Sequence, residues 1–129
     1  MNLKRVVVTG IGAITPVGNT APAYWEGLLN GVSGADFISL FDASKFKTRF
    51  ACEVKGFDPN NYFDRKEARK LDGFSQYALV VAEEAVKDAG INLETINHDR
   101  VGVIWGSGIG GLKTFQDEVI AFGRGDGTP

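Results

Sequence analysis

Two side chains that often carry chemistry are nearly absent: this chain has a single cysteine, Cys52, and a single histidine, His98, among 129 residues. One thiol cannot close an internal disulfide or build a cysteine-rich zinc site. Such cysteine poverty fits a reducing compartment, so a cytoplasmic protein with no metal site is expected. An excess of charge of either sign is missing too. Fourteen lysines and arginines stand against 16 acidic residues, a formal net charge of -2 that gives no global attraction to nucleic acid or anionic lipid. Any cationic patch must be local. Long apolar runs are also absent, none approaching the about 18 residues that a membrane span needs, so no membrane insertion is expected. The start, MNLKRVVVTGIGAI, loosely imitates a secretory leader. However, Val6, Val7 and Val8 are β-branched, Thr9, Gly10 and Gly12 interrupt the stretch, and no small-residue cleavage site precedes Pro16. It reads as a first buried strand.

What is present is an ordinary globular composition, 43% hydrophobic and 23% charged, in a length that suits one domain, 1–129, with no internal boundary. Three strands are expected, at Lys4 to Gly10, in RFACEVKG, and in RVGVIWGS. A helix is expected in TAPAYWEGLLNG, with Thr20 as its cap, Pro22 in its first turn and Gly31 as its stop. A long helix follows from Asp64 to Ala89, closed by Gly90, with Leu71, Phe74, Ala78, Val81 and Ala85 on its buried face. A last helix runs from Leu112 to Phe122. Apolar strands separated by amphipathic helices argue for an α/β fold with a largely parallel sheet covered on both faces. After the last helix, GRGDGTP supplies no further strand, although a crossover helix normally delivers one. The expectation is therefore the N-terminal piece of a longer protein.

Glycines, 17 in all, concentrate in two stretches. TGIGAITPVGN offers Gly10 and Gly12 but sets Thr15 where a dinucleotide fingerprint needs its third glycine. VGVIWGSGIGGL matches that fingerprint at Gly106, Gly108 and Gly111. Its acidic ribose partner should end the next strand about twenty residues on, and Asp126 has the distance without the strand. Neither stretch continues into the G-K-[ST] of a P-loop. The alternative is that these glycines turn a strand sharply into a helix where backbone passes close to something a side chain would obstruct.

The other distinctive stretch is DRKEARKLDGF. On a continuous helix Lys66, Arg69 and Lys70 fall at i, i+3 and i+4 and share one face, with Arg65 beside Arg69. Cations in the first turns oppose the helix dipole, which favours carboxylates there. A positive tip of side chains and dipole together suggests docking of an anion or an acidic partner. The competing reading is a solvated helix start eased by Asp64 and Glu67.

KRVVVTGIGAITPVGNT, DRKEARKLDGFSQYALVVAEEAVKDAG and RVGVIWGSGIGGL, in this order and spacing, closely resemble the β-ketoacyl-acyl-carrier-protein synthases of bacterial fatty acid biosynthesis, of the elongating synthase II type. The resemblance covers this whole chain and the first part of the family's length. It implies a thiolase-like α/β fold, layered α/β/α around a mixed sheet, of which this chain is an incomplete N-terminal half. It also implies a homodimeric enzyme without a cofactor. In that family a cysteine takes an acyl chain from acyl carrier protein as a thioester, and malonyl-carrier protein loses carbon dioxide to give the carbanion that attacks it. The resemblance places Lys66, Arg69 and Lys70, with Arg65 of the same motif, where acidic carrier protein docks. It places Ile109, flanked by Gly108 and Gly110, beside the acyl pocket, where side-chain bulk limits the chain that enters.

No catalytic residue is expected in this chain, because the family's cysteine and two histidines match no position here. Cys52, in FACEV, reads as a small buried hydrophobe on a strand, and His98, in TINHDR, as a solvated loop residue. The chain alone is expected to be inactive in condensation. Two other classes stay open: a noncatalytic carrier-binding module, and a small nucleotide-binding α/β domain. A reading frame that continues into a cysteine-bearing strand-helix turn separates the enzyme from the module, and tight nucleotide binding would favour the third.

Overall fold

The computed structural model describes residues 3–125. Asp126, weighed above as a ribose partner, and the closing Thr128 and Pro129 lie outside the described residues. Four α-helices of this stretch are named here: α1 (Ala21–Leu29), α2 (Arg65–Ala68), α3 (Gly73–Asp88) and α4 (Leu112–Arg124). The described strands are β1 (Asp36–Phe37) and β2 (Phe50–Ala51), which pair antiparallel with Asp36 opposite Ala51 and Phe37 opposite Phe50. The chain divides into two compact units. One holds Met1–Asp58 with Val80–Ile96 and the other Pro59–Leu79 with Asn97–Pro129, so α3 contributes to both.

In the first unit α1 forms where its caps say it should. The Thr20 hydroxyl oxygen accepts from the Ala23 N–H at 3.2 Å, Pro22 lies in the first turn, and Gly31 beyond the C-terminus takes φ 65°. Helix α3 ends in the same way, with Gly90 at φ 64°. The hairpin is fastened by an ion pair between Lys55 and Asp36 at 2.6 Å, and the Ser39 hydroxyl donates to Glu53 at 2.7 Å. The Lys55 ammonium and then the Phe37 N–H hold the Asp36 carboxyl below the usual carboxylate range. Bonds from the Ser39 hydroxyl and N–H do the same for Glu53.

The sheet differs from the sequence expectation. Lys4 to Gly10 and Val101 to Ser107 carry no strand, and of RFACEVKG only Phe50 and Ala51 pair. The physical reason is that a strand is completed by its neighbour, and among the described residues neither apolar segment has a ladder partner. Their valines and isoleucines stand in solvent: Val6 is 92% exposed and Ile104 is 99% exposed. Cys52, expected to be buried, is exposed, because it sits just past the two-residue β2 with nothing layered over it.

The long helix is also two helices. Asp64 caps α2 by accepting from the N–H groups of Lys66 and Glu67 at 2.7 and 2.9 Å, and the helix ends after Ala68. The Gln76 side-chain amide donates to the carbonyls of Ala68 at 2.8 Å and Leu71 at 3.1 Å, taking oxygens that a continuing helix would pair with its own backbone. Within α3, Val80 is buried. Ala78, Val81 and Ala85 of the expected apolar face are half-buried, as is Leu71 just ahead of the helix, and Phe74 is exposed.

Candidate functional site

Arg65, Lys66, Arg69 and Lys70 are all exposed, so none is spent inside the unit that carries them. Their setting corrects the dipole argument. Arg65 and Lys66 belong to a helix of only four residues, which has little macrodipole, and Asp64 already supplies its negative cap. Arg69 and Lys70 lie beyond the end of α2, in the turn before α3, so the cations do not form one continuous helical face. What remains is a short basic segment held by the Gln76 amide, with Asp72 next in line. The Asp72 carbonyl accepts from the N–H groups of Ser75 and Gln76, starting α3.

The second glycine stretch belongs to the same unit. Gly111 has φ 68°, a left-handed conformation that suits glycine, and it leads into α4 without a side-chain cap. A Cβ on Gly110 would come within 2.8 Å of the Phe74 ring, so here the backbone does lie against a side chain that a larger residue would meet. Gly106 and Gly108 face open space. Ile109 is 76% exposed. The Thr114 hydroxyl, in the first turn of α4, donates to the Asp72 carboxylate, whose other oxygen lies close to Gly111. The basic segment and the glycine loop are thus joined at Asp72 and Phe74.

The first glycine stretch does different work in the first unit. A Cβ on Gly10 or Gly12 would overlap the backbone carbonyls of Ala85 or Val81, so both glycines let the chain lie directly on α3. The Glu84 carboxylate accepts from the N–H groups of Ala13 and Ala21, each at 2.8 Å, and Asp88 accepts from Ile11 at 2.9 Å. The Thr15 hydroxyl oxygen accepts from Val17 and Gly18. Donors that could cradle a phosphate are therefore engaged by the chain itself, and an incoming pyrophosphate would meet two carboxylates. At α4 an acidic group likewise stands where a pyrophosphate would bind. These are chemical arguments against the nucleotide reading at both stretches. A groove of about 980 Å³ in the first unit is lined by Ile11, Tyr24, Trp25, Leu28 and Lys87 among others, and Ile109, Gly108 and Gly110 are not part of its wall.

His98 is exposed in a short 3-10 turn, as expected of a solvated loop residue. Among the described residues no group of three or more His, Cys, Asp or Glu side chains could hold a metal ion, and no helix is long and apolar enough to cross a membrane. Sequence reasoning missed Asp72, Gln76, Glu84 and Asp88. The Asp72–Gly73 dipeptide is a turn signal inside an apparent helix. Glu84 and Asp88 stand four apart, hence on one face of α3.

The family described as β-ketoacyl synthase, N-terminal domain, matches residues 3–126. The 3-oxoacyl-(acyl-carrier-protein) synthase 2 of Synechocystis sp. is 49% identical over 115 residues, covering 89% of this chain and 28% of that protein. The protein of the same name from Staphylococcus aureus is 48% identical over 113 residues, covering 88% and 27%. This chain therefore spans little more than a quarter of the length of these curated relatives. Among solved structures, a type II PKS acyl-carrier protein in complex with its ketosynthase bound to the hexaketide matches over 97% of this chain and 32% of that chain, with TM-score 0.72 and 32% identity. The ishigamide ketosynthase/chain length factor matches over 68% of this chain and 22% of that chain, with TM-score 0.61 and 36% identity. The fold is that of the ketosynthases, thiolase-like, and this chain corresponds to its N-terminal portion. Three separated motifs, a family match over nearly every residue and backbone agreement with solved ketosynthases converge on one assignment: this chain belongs to the β-ketoacyl synthase family, as its N-terminal domain.

Proposed function

We propose that this chain is the carrier-docking and acyl-pocket portion of a 3-oxoacyl-acyl-carrier-protein synthase of fatty acid biosynthesis. The enzyme condenses an acyl thioester with malonyl-carrier protein by decarboxylation. The observation that carries this reading is the near-complete family match to relatives of that name, together with four exposed cations on a segment that adjoins a glycine-lined loop. Lys66, Arg69, Lys70 and Arg65 attract and orient the acidic carrier, a role that mainly speeds encounter and sets direction. Ile109, between Gly108 and Gly110, borders the acyl chain and limits its length. The bond-making cysteine and its two histidines lie in sequence other than these residues, so the chain alone turns over no malonyl-carrier protein. The complete enzyme works as a cytoplasmic homodimer.

The test is charge reversal in an enzyme that contains this chain together with the catalytic residues. Changing Lys66, Arg69 and Lys70 to glutamate weakens carrier binding by about tenfold or more and flattens its salt dependence, while turnover of small thioester mimics survives. Unchanged carrier affinity removes the docking role. Ile109→Phe shortens the preferred acyl chain, and an unaltered chain-length profile removes Ile109 from the pocket wall.

A further inference from the structure

Helix α4 begins badly for its own sequence. Gly111 offers no side-chain cap, no acidic residue lies in the first turn, and Lys113, paired with Asp117 at 2.9 Å, still brings a cation to the positive end of the dipole. The missing negative charge comes from 42 residues earlier in the chain, where the Asp72 carboxylate accepts the Thr114 hydroxyl. Asp72 is also the residue whose carbonyl starts α3, and it lies two positions after Lys70, the last cation of the basic segment. Two positions further on, the Phe74 ring lies against Gly110. The turn that ends the basic segment therefore carries the two side chains that hold the glycine loop.

We infer that Asp72 is a positioning residue: by accepting from Thr114 it fixes the start of α4, and with it the loop bearing Ile109, relative to the cationic segment. A carrier bound at the cations then delivers its acyl group to a loop already in place. This rests on the docking and pocket roles proposed above, but its first readout does not depend on them. Without the bond, the start of α4 loses the Asp72 carboxylate and the loop loses its tether. Carrier contact at Lys66, Arg69 and Lys70 is untouched.

Thr114→Val removes the donor and keeps the shape, while Thr114→Ser keeps the donor. In an enzyme that contains this chain, without carrier, hydrogen exchange at the Phe115 amide, which closes the first turn of α4 onto the Gly111 carbonyl, accelerates about fivefold in Thr114→Val and stays at the parent rate in Thr114→Ser. The Tyr24 amide of α1 stays at the parent rate in both, excluding general unfolding. Holo-carrier affinity stays within about twofold in Thr114→Val, but the preference for acyl-carrier over holo-carrier falls about fivefold, the same hydrogen-bond energy read as binding. Asp72→Ala reproduces both losses. An unchanged Phe115 exchange rate, or an unchanged acyl preference in a protein whose charge-reversed form has lost carrier binding, overturns the inference. If charge reversal leaves carrier binding intact, the docking role fails instead, and Phe115 exchange still decides whether Asp72 holds the loop.

Discussion

The two glycine stretches look alike as letters and behave as opposites. From Gly10 to Gly18 the backbone is pressed onto helices, α3 at Gly10 and Gly12 and α1 at Gly18, and Glu84, Asp88 and Thr15 between them engage the N–H groups of Ile11, Ala13, Val17, Gly18 and Ala21. At Gly106 to Gly111 there is one aromatic contact, one carboxylate tether, and otherwise open space around Gly106 and Gly108. The first stretch uses glycine so that two pieces of backbone can touch. The second uses it at a single left-handed position and one close approach, and leaves its remaining face free to meet something else. Glycine spacing alone does not separate these uses. The carboxylates that face each loop do.

Substitutions that strand donors or force volume into the first stretch break the contrast most strongly. Glu84→Leu leaves the N–H groups of Ala13 and Ala21 without their acceptor, and about 3 kcal/mol of unfolding free energy is lost, read from urea denaturation. Glu84→Gln keeps one acceptor oxygen but sets an NH2 donor against the other N–H, and loses about half of that or more. Gly12→Ala sets a methyl group against the Val81 carbonyl, which belongs to helix backbone and yields little, at about 2 kcal/mol by the same measurement. Gly110→Ala meets the Phe74 ring, which can turn aside, and costs about 1 kcal/mol. Gly106→Ala and Gly108→Ala meet nothing and stay within about 0.5 kcal/mol of the parent chain. A Gly108→Ala loss as large as that of Gly12→Ala would erase the distinction between the two stretches.

The smallest effect is one of acidity and falls on the hairpin, outside both stretches. Asp36 and Glu53 are held below their ordinary values, Asp36 by Lys55 and Glu53 by Ser39. Their folded forms therefore favour the ionised state, and the contribution to stability is complete at neutral pH. It is lost as the pH falls through the lowered values, on the acid side of the ordinary carboxylate range. Amide exchange at Ile38, whose N–H donates to the Arg49 carbonyl, should rise on acidification more than exchange at Tyr24 in α1. Equal acid sensitivity at both sites would show that these two carboxylates do not hold the hairpin.

How much of this was legible in the sequence follows from how local each feature is. Helix α1 was readable because Thr20, Pro22 and Gly31 act within a few residues of one another, and Gly90 marked the end of α3 for the same reason. The family was readable because three motifs stand in order. The strands were not, since a strand forms only against a ladder partner, and among the described residues the segments of Val6 and Ile104 have none. Cys52 went the same way, its burial inferred from a strand that proved two residues long. The helix break was written in Asp72–Gly73, but the apolar spacing from Leu71 to Ala85 continued through it and masked the turn. Arg65, Lys66, Arg69 and Lys70 are exposed but do not share one helical face, because the break after Ala68 depends on contacts that spacing does not show. Their neighbours Asp72 and Gln76 were invisible because they act on carbonyls and hydroxyls that only the folded chain brings near.

Gln76 spends both amide protons on carbonyl oxygens, those of Ala68 and Leu71. Exchanging that amide for a carboxylate, by Gln76→Glu or by slow deamidation, would set oxygen against oxygen twice at one corner. The elbow that aims Arg69 and Lys70 outward is therefore vulnerable to a change that alters almost nothing in size or shape.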